Sequence, residues 1–491
     1  MRASGGFLVP TLGGQPWMEK PPFVLWLMAA ALGLPVPPET AVRLPSAAGL
    51  AAAGWFTFRL GAAVRSPREG LLACAILLLS PLALASGAAA TMDAVLLAST
   101  TAALSILAAA PPDAPRRRDV LALGVALALG QLTKGPVGLL LPLLSAAPAL
   151  LLGPPAARRG FVRLVVPAAS LSLLAYLAWA VPANAASSGL LFSEGFGVHV
   201  LGRVLSPMES HGGWGPVGLL FHPAVLVVTF CPWTLFAVAG LREIGPPAAS
   251  RGAALLAGSV AVPLLLFSAV ATKLPHYVLP ALPALAIASA AGVLAPLPGR
   301  RGRCAGPALL LLGSAAWLGL LAFAAGHASP PLRAFALAIV VLFVLSSGAG
   351  LALFVLGRRV QAAAALGAGF ALSATLVAGA VLPAFEPFKP VPPVAAAARR
   401  AAPFPVASFG FGEPSLAFYA GPGPIERLPS DRAVRTWTRR PGGGVLVTTG
   451  AEAARLSLAG EGRLVLLARA VGIDLVHGRP TELVAFLRAE R

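Results

Sequence analysis

The sequence has few charged residues and very few acidic ones. Only 11% of its 491 residues are charged, and 18 Asp and Glu stand against 37 Lys and Arg. A chain that is 57% hydrophobic, with a mean hydropathy of +0.82, carries more apolar surface than a soluble domain can bury. The composition therefore indicates a polytopic membrane protein. A net charge of +19 would also suit nucleic acid, but most arginines lie in short loops between apolar runs, as membrane topology requires, so we expect no nucleic-acid partner.

Cysteine is nearly absent, and two common signatures are missing altogether. Cys74, Cys231 and Cys304 lie in or beside apolar runs without paired spacing, which excludes a disulfide framework and a cysteine metal site and favours structural thiols. No Gly-rich phosphate loop is present, so we expect no nucleotide cofactor. No internal repeat is detectable either, which argues against a transporter built from repeated halves.

Apolar runs that are long enough to cross a membrane number about twelve. Arginine clusters occupy every second connection between them, and the positive-inside rule makes those connections cytoplasmic. The alternate connections, residues 1–42 and the C-terminal segment are then predicted to lie on the outer side. The runs are residues 43–63, 71–90, 91–110, 118–134, 135–153, 161–182, 216–240, 253–271, 277–296, 304–325, 332–356 and 360–383.

The C-terminal part of the sequence has a different pattern. From about Pro383 the apolar runs shorten to four to six residues. Val445–Thr449 and Leu464–Leu467 are typical of strands, and Thr481–Arg488 is predicted to form a closing helix. The sequence therefore predicts a membrane domain over residues 43–383 and a small soluble α/β domain over residues 395–491, on the outer side of the membrane.

The stretch Trp17–Pro22 places Glu19 and Lys20 before a double proline and an apolar run, Phe23–Leu34. Twelve helical residues cover about 18 Å, well short of a ~30 Å hydrocarbon core. We therefore expect an interfacial helix that does not span, with a Glu/Lys pair at the membrane surface. Because Met1–Lys20 has no apolar segment of signal-peptide length, we also expect a further segment to precede Met1.

Ionisable residues at the outer ends of the apolar runs are the candidate site. Asp93 either caps the helix that begins at Ala94 or is a functional acid at the mouth of the bundle. Lys134 and Lys273 either extend to the membrane surface as helix-end lysines or, with Lys20 and Arg203, form a cationic pocket for phosphate.

The longest outer loop, residues 183–215, carries further candidates. It contains Glu194, His199, Arg203, Glu209 and His211. With Glu19, His211 is a candidate ligand pair for a divalent metal such as zinc, although nothing in the sequence fixes the distance between them.

Several segments together resemble the ArnT-like (aminoarabinose transferase) family, which is related to the protein O-mannosyltransferases and has the GT-C membrane fold. They span most of the chain in the family's order. The matching segments are Leu8–Gly14 with Pro16–Pro22, Ala41–Ser46, Met92–Asp93, Leu132–Pro136, Lys273–Pro280 and, in the soluble domain, Pro414–Tyr419.

The resemblance implies an inverting glycosyltransferase that moves a hexose or pentose from a polyprenyl-phosphate donor to an acceptor such as lipid A, a polysaccharide or a protein hydroxyl. It places Glu19 and His211 at a metal site, Lys20 at the donor phosphate and Asp93 near the acceptor, with Glu19 and Asp93 as the catalytic candidates. Arg203, Lys134, Lys273, His276 and Tyr277 are expected to contact substrate. The family's first spanning helix, and the acidic base that follows it, would precede Met1.

Two alternatives remain open at this point. A lipid-linked-sugar transporter or flippase would share the membrane fold but would form no product. A truncated homologue that is inactive as encoded would share the fold and the phosphate pocket.

Overall fold

The computed structural model describes residues 1, 5–207, 216–295, 300–327, 330–421, 423–460, 462–474 and 479–489. The chain divides into two units. The helical unit is Met18–Leu376, and the sheet unit combines Met1–Trp17 with Val377–Arg491. The N-terminal loop expected over residues 1–42 is thus shared between the two units.

The helical unit contains a π-helix over Leu191–Gly202 and 3-10 helices over Pro247–Ala249 and Pro275–Ala281. Many of its α-helices begin at proline, whose missing N–H needs no partner in a first turn. The α-helices are α1 Phe23–Ala31, α2 Pro38–Ala41, α3 Leu44–Val64, α4 Pro67–Leu78, α5 Pro81–Ala88, α6 Asp93–Ala109, α7 Arg117–Lys134, α8 Pro136–Leu152, α9 Pro155–Ala186, α10 Arg203–Leu205, α11 Pro216–Thr229, α12 Thr234–Ile244, α13 Arg251–Ala269, α14 Leu282–Leu294, α15 Arg300–His327, α16 Pro330–Val355 and α17 Arg359–Leu376.

Each of the twelve predicted spans coincides with a helix or a bent helix pair. Within the described residues, seven helices are long and apolar enough to cross a membrane, and nine spans result if each of the two bent pairs counts as one. The other three predicted spans are α6, α7 and α8, with 17, 18 and 17 residues. The expectation of a mostly helical polytopic membrane fold is therefore confirmed. Helix α1 has nine residues and covers about 14 Å, too little to cross.

The two bent pairs are joined to each other by a hydrogen bond. Helices α4 and α5 meet at 63°, and α11 and α12 meet at 107°. The indole Nε1 of Trp233, in the second bend, donates to the carbonyl oxygen of Leu79, in the first, at 3.0 Å. Because helix breaks leave backbone groups unpaired, this bond satisfies a carbonyl that the first break exposes.

Small residues allow the helices of the bundle to approach closely. A Cβ added to Gly240 on α12 would lie 1.6 Å from the carbonyl oxygen of Ala288 on α14, and one added to Gly292 would lie 2.1 Å from that of Phe236. Gly138 on α8 similarly faces Gly130 on α7. These contacts are typical of membrane helices, which associate through backbone approach.

Arginines at one end of the bundle cap helix C-termini. Arg251 donates to the carbonyl of Leu107, in the last turn of α6, and to that of Ala110, which follows the helix, at 3.0 Å. Arg359 donates to Gly292 and Ala295 at the end of α14, at 2.8 and 3.0 Å. The guanidinium fork pairs two carbonyls at once, and its charge complements the helix dipole. Some arginines that the sequence marks as topology signals are therefore also structural caps.

The sheet unit has a five-stranded sheet in the order β4-β3-β5-β7-β6 and a separate short hairpin. Strand β3 is parallel to β4 and β5, whereas β7 is antiparallel to β5 and β6. The strands are β1 Thr11–Leu12, β2 Gln15–Pro16, β3 Val406–Phe409, β4 Ile425–Arg427, β5 Gly444–Thr449, β6 Leu464–Asp474 and β7 Arg479–Arg488; the helices are α18 Leu382–Phe385, α19 Val391–Arg400, α20 Pro414–Ala420, α21 Asp431–Arg439 and α22 Gly450–Arg455.

Both faces of this sheet are covered by helices. Val434 and Trp437 of α21 pack on the face that includes Leu446. Val394 of α19 packs on the opposite face with Val445, the neighbour of Leu446 in the strand. Alternate residues of β5 thus enter two separate cores, as the strand period requires. The expected α/β class of this domain is confirmed.

The predicted closing helix over Thr481–Arg488 is wrong, because these residues belong to strand β7. Four consecutive residues, Leu483 to Phe486, are buried. Since β7 lies between β5 and β6 in a sheet covered on both sides, neither face needs to be polar. Such an uninterrupted apolar run cannot be told from a buried helix by its period. The predicted strands at Val445 and Leu464 are confirmed as β5 and β6.

Candidate functional site

Most of the predicted site residues meet at one end of the helical unit. Glu19 and Lys20 directly precede α1, Asp93 begins α6 and Lys134 ends α7. His276 lies in the 3-10 helix before α14, and Arg203 begins α10 after the π-helix. Six residues separated by up to 257 positions in the sequence are therefore held together by helix ends.

An ion pair lies at the centre of this cluster. Lys134 Nζ donates to Asp93 Oδ1 at 2.5 Å, and the two side chains are 20% and 15% exposed. His276 Nε2 lies 3.9 Å from the same carboxylate oxygen. Asp93 makes no capping hydrogen bond in α6, whose N-cap position is Met92. The N-cap interpretation of Asp93 is therefore wrong, and its carboxylate instead pairs with Lys134.

Backbone contacts fix where Asp93 is presented. Ser46 Oγ donates to the carbonyl of Thr91 at 2.7 Å and tethers the turn before Asp93 to α3. A Cβ added to Gly49 on α3 would lie 2.9 Å from the backbone of Ala94. On the other side of the pair, Lys134 precedes Gly135, whose φ of +64° ends α7. The cluster is held by close packing of main chains, so its geometry is preorganised.

Lys20 adds a second cation that no carboxylate fully compensates. Burial, followed by the positive charges of Arg203 and Lys134, lowers the pKa of Lys20 to about 8, against smaller opposing contributions from Glu19 and Asp93. In the part of the chain that the structure describes, three cations, Lys20, Lys134 and Arg203, thus lie near two carboxylates, Glu19 and Asp93. A site of this kind favours an anionic ligand, because the ligand would relieve the repulsion between the cations.

His199 lies in the π-helix and Arg203 directly follows it, so this segment determines where both side chains stand in the cluster. A Cβ on Gly195 would lie 2.4 Å from the carbonyl oxygen of Met18, so only glycine permits this contact with the chain before Glu19. The backbone N–H of Thr272 donates to the carbonyl oxygen of Arg203 at 3.2 Å. These contacts join the segment after the π-helix to the loop that precedes His276.

The partner that the structure gives to Glu19 is His199, whose Nε2 lies 3.9 Å from Glu19 Oε1. Sequence reasoning selected His211 instead, and His211 falls in residues 208–215, outside the described part of the chain. His199 precedes Arg203 by four residues, which places both side chains on one face of a helix. This spacing was the available signal that His199 belongs to the site. Imidazole and carboxylate are zinc ligands, but among the described residues no third His, Cys, Asp or Glu completes a set of metal ligands.

Tyr277 forms one wall of the cluster. Its ring centroid lies 5.6 Å from Lys134 Nζ, a cation–π contact, and 4.4 Å from that of Phe267. His222, fully buried, lies 6.1 Å from the Tyr277 ring and 6.4 Å from the Phe267 ring, so the three rings form one cluster. Lys134 thus contacts the Tyr277 ring as well as the Asp93 carboxylate.

Lys273 does not join the cluster. Its Nζ donates to the carbonyl oxygens of Phe267, Ser268 and Val270 at 3.2, 2.6 and 2.6 Å, and it is only 5% exposed. These bonds use all three N–H donors of the ammonium. Lys273 therefore caps the C-terminus of α13, and its geometry does not favour the phosphate contact that we expected.

Replacing Lys273 with methionine is expected to destabilise the protein by about 2 kcal/mol, because three buried carbonyls lose their donor. The thermal unfolding midpoint of the purified chain in detergent measures this loss. Lys389→Met is the matched control, because Lys389 pairs with Glu386 at the surface. Unchanged stability together with a tenfold loss of phosphate-ligand affinity would contradict the capping role.

Comparisons with known proteins agree with this architecture. A family model described as Dolichyl-phosphate-mannose-protein mannosyltransferase matches residues 19–183. The undecaprenyl phosphate-alpha-4-amino-4-deoxy-L-arabinose arabinosyl transferase of Edwardsiella ictaluri (strain 93-146) is 28% identical over 311 residues, which are 62% of this chain and 54% of that protein. The chain therefore spans about half the length of this curated relative.

Solved structures match nearly the whole chain. ArnT from Cupriavidus metallidurans bound to undecaprenyl phosphate has a TM-score of 0.78 and 18% identity, covering 98% of this chain and 91% of that one. The crystal structure of the same protein in the apo state has a TM-score of 0.76, covering 98% of this chain and 90% of that one. The archaeal oligosaccharyltransferase AglB from Archaeoglobus fulgidus, in complex with an inhibitory peptide and a dolichol-phosphate, gives 0.50 at 14% identity, covering 88% and 62%.

The fold is that of the solved ArnT structures, a polytopic membrane fold of the GT-C type. The family model over residues 19–183 and the curated relative agree with the ArnT-like resemblance drawn from the sequence motifs.

Proposed function

We propose that the protein is an inverting membrane glycosyltransferase that moves a sugar from a polyprenyl-phosphate donor to an acceptor in the bacterial envelope. The observation that carries this proposal is the convergence of Lys20, Lys134 and Arg203 around two carboxylates. The ArnT crystal structure bound to undecaprenyl phosphate supports the donor class. The acceptor is a lipid A-like lipid, a polysaccharide or a protein hydroxyl, and the site lies on the outer face of the inner membrane.

The proposed reaction is direct displacement at the anomeric carbon of the donor, with the charged side chains of the cluster assisting the leaving phosphate and the attacking hydroxyl. The acceptor hydroxyl attacks the anomeric carbon, the bond from that carbon to the phosphate oxygen breaks, and the polyprenyl phosphate leaves with the electron pair. Lys20 and Arg203 stabilise the negative charge that develops on the phosphate. A carboxylate takes the proton of the hydroxyl. Asp93, held in place by Lys134, is proposed as this carboxylate, because Glu19, 40% exposed, is assigned below to a metal.

The test separates phosphate recognition from binding of the lipid tail. The full chain in detergent is titrated with a short-chain polyprenyl phosphate and with the matching polyprenol. We expect the phosphate to bind at least tenfold more tightly, and Arg203→Gln to remove most of that difference. Arg400→Gln, at the exposed end of α19, is the charge-matched control. Equal affinity for phosphate and alcohol would overturn the proposal.

A turnover assay distinguishes transfer from transport. The protein is reconstituted with a polyprenyl-phosphate-linked sugar and envelope acceptors, and free polyprenyl phosphate is measured. Release of the lipid phosphate together with a glycosylated acceptor is the expected result. Movement of the intact lipid-linked sugar across the bilayer without release would instead identify a flippase.

We also propose that Glu19 and a histidine hold a divalent metal, as the resemblance implies. The described residues offer His199 as the neighbouring ligand, and the sequence offers His211. When bound, the metal would supply positive charge beside the donor phosphate. Elemental analysis of the purified protein is expected to give about one equivalent of zinc or a similar metal, reduced several-fold in Glu19→Gln and unchanged in Glu39→Gln. Absence of stoichiometric metal from the unmodified protein would contradict this proposal.

A further inference from the structure

A second concentration of positive charge lies on α21 of the sheet unit, outside the proposed active site. Val434 and Trp437 are buried beneath this helix, which fixes the side that it turns to solvent. Arg432, Arg435 and Arg439 stand three and four positions apart and are all exposed, so they share one helix face. Together with the next residue, Arg440, they form what we term the arginine face.

The neighbouring carboxylates already pair with arginines, two of them with Arg455 and one with Arg440, the last residue of the arginine face. Asp431 and Glu452 both bind Arg455, which donates to Asp431 at 2.6 and 2.7 Å. Glu426 accepts two hydrogen bonds from Arg440, at 2.7 and 2.9 Å.

Among the residues that the structure describes, Arg432, Arg435 and Arg439 have no ion-pair partner. Arg435 and Arg439 are four positions apart on the helix, and like charges at this spacing destabilise a helix. The arginine face therefore carries more positive charge than its neighbouring carboxylates offset, because these carboxylates are already bonded to Arg440 and Arg455.

The support beneath the arginine face is rigid. Arg488 is 4% exposed, and its guanidinium carbon lies 4.2 Å from the centroid of the Trp437 ring. It donates to the carbonyls of Gly442 and Gly443, at 2.9 and 3.1 Å, and to that of Trp437. The end of α21 and the loop after it are thus fixed, and the arginines cannot separate by unwinding the helix.

We propose that the arginine face docks on anionic phospholipid headgroups. Guanidinium groups bind phosphate oxygens in a bidentate manner, and a fixed row of them on an exposed helix matches a surface of phosphates. The sheet unit follows the spanning helix α17 directly in the sequence, so lipid phosphate is always present at high effective concentration.

The charge balance of the domain points the same way. Residues 377–491 contain 14 Lys and Arg against 9 Asp and Glu, an excess of five positive charges. This proposal does not depend on the proposed transferase activity.

The test uses the full chain in lipid nanodiscs. Thr436, exposed within the arginine face, is changed to cysteine and labelled with a fluorophore, in a background with Cys74→Ala and Cys304→Ser; Cys231 is fully buried. Quenching by a headgroup-attached nitroxide lipid reports docking. We expect strong quenching in discs containing phosphatidylglycerol, little in discs of phosphatidylcholine alone, and loss of quenching in 0.5 M salt.

Two triple variants decide the role of the charges. Arg432→Gln/Arg435→Gln/Arg439→Gln is expected to lower the ratio of docked to free domain by roughly fivefold for each arginine, on the order of a hundredfold in all. Arg399→Gln/Arg400→Gln/Arg469→Gln removes the same charge elsewhere on the sheet unit and is expected to leave quenching unchanged.

Three results would overturn the proposal. One is equal quenching in the two lipids, and another is quenching that survives in the first triple variant. The third is saturable binding of soluble polyphosphate to the label site without any quenching by phosphatidylglycerol, which would assign the arginine face to a soluble polyanion.

Discussion

Replacing Lys20 with methionine is expected to abolish sugar transfer and, at the same time, to raise the thermal stability of the ligand-free protein. Burial and the charges of Arg203 and Lys134 lower the pKa of Lys20 from 10.5 to about 8. A shift of this size corresponds to about 3 kcal/mol of unfavourable free energy for the charged form. Methionine keeps the apolar stem and removes the charge, so the folded protein gains stability while the phosphate loses its contact.

The sign of the pH dependence follows from the direction of this shift. A lysine whose pKa is lower in the folded state destabilises the fold while it is charged, which is below about pH 8. The penalty decreases as the pH rises from 8 to 10.5 and is absent above that range. We therefore expect the stability gain of Lys20→Met to be full at pH 7 and to disappear near pH 10.5.

Thermal unfolding in detergent across this pH range, together with transfer assays, measures both effects. Affinity for a polyprenyl phosphate is expected to fall above pH 8 in the unmodified protein and to be low and independent of this titration in Lys20→Met. Lys389→Met serves as the control for loss of a surface lysine. A lower unfolding midpoint in Lys20→Met would show that Lys20 has a structural role.

Replacing Asp93 with asparagine is expected to destabilise the protein by about 3 kcal/mol and to abolish transfer. Asp93 and Lys134 are mostly buried and in contact, and removal of one member leaves the other uncompensated. Lys134 would then face Lys20 with no carboxylate between them. The unfolding midpoint and the transfer rate are the two measurements.

A double variant separates the ion pair from the chemistry. Asp93→Asn/Lys134→Met removes both charges, and we expect it to recover most of the stability lost in Asp93→Asn, because Lys134 is no longer left as an unpaired buried charge. Transfer is expected to stay absent, because both charged groups at the proposed acceptor position have been removed. A stable double variant with normal transfer would show that the pair is structural only.

The membrane fold was largely predictable from the sequence. Apolar runs of spanning length and arginines in alternate loops depend on local composition, and α3 to α9 and α11 to α17 follow the predicted runs. The ambiguity of β7 has a local cause, because four consecutive buried residues have neither a helical nor a strand period. Its place inside the sheet, between β5 and β6, depends on those two strands and is not encoded by any local pattern in β7.

The sequence was sufficient to predict which residues form the candidate site, but it was not sufficient to predict which of them contact each other. Glu19, Lys20, Asp93 and Lys134 stood out because ionisable residues at membrane depth are costly. Which of them pair depends on backbone approach at Gly49 and Gly195, and a sequence gives no distances. Lys273 was misleading for this reason, since a lysine that caps a helix and a lysine that binds phosphate look alike until carbonyl oxygens are placed around the ammonium.

The short hairpin of β1 and β2 has a consequence for the order of folding. The carbonyl of Gly13, between these strands, accepts a hydrogen bond from the backbone N–H of Ile425 in β4 at 2.9 Å. The two residues are more than four hundred positions apart, so Gly13 is synthesised long before its partner in β4 and stays without this bond until β4 has left the ribosome. The hairpin therefore joins the sheet only after the whole helical unit has been synthesised. A completed sheet unit thus indicates that every helix of the bundle has been made.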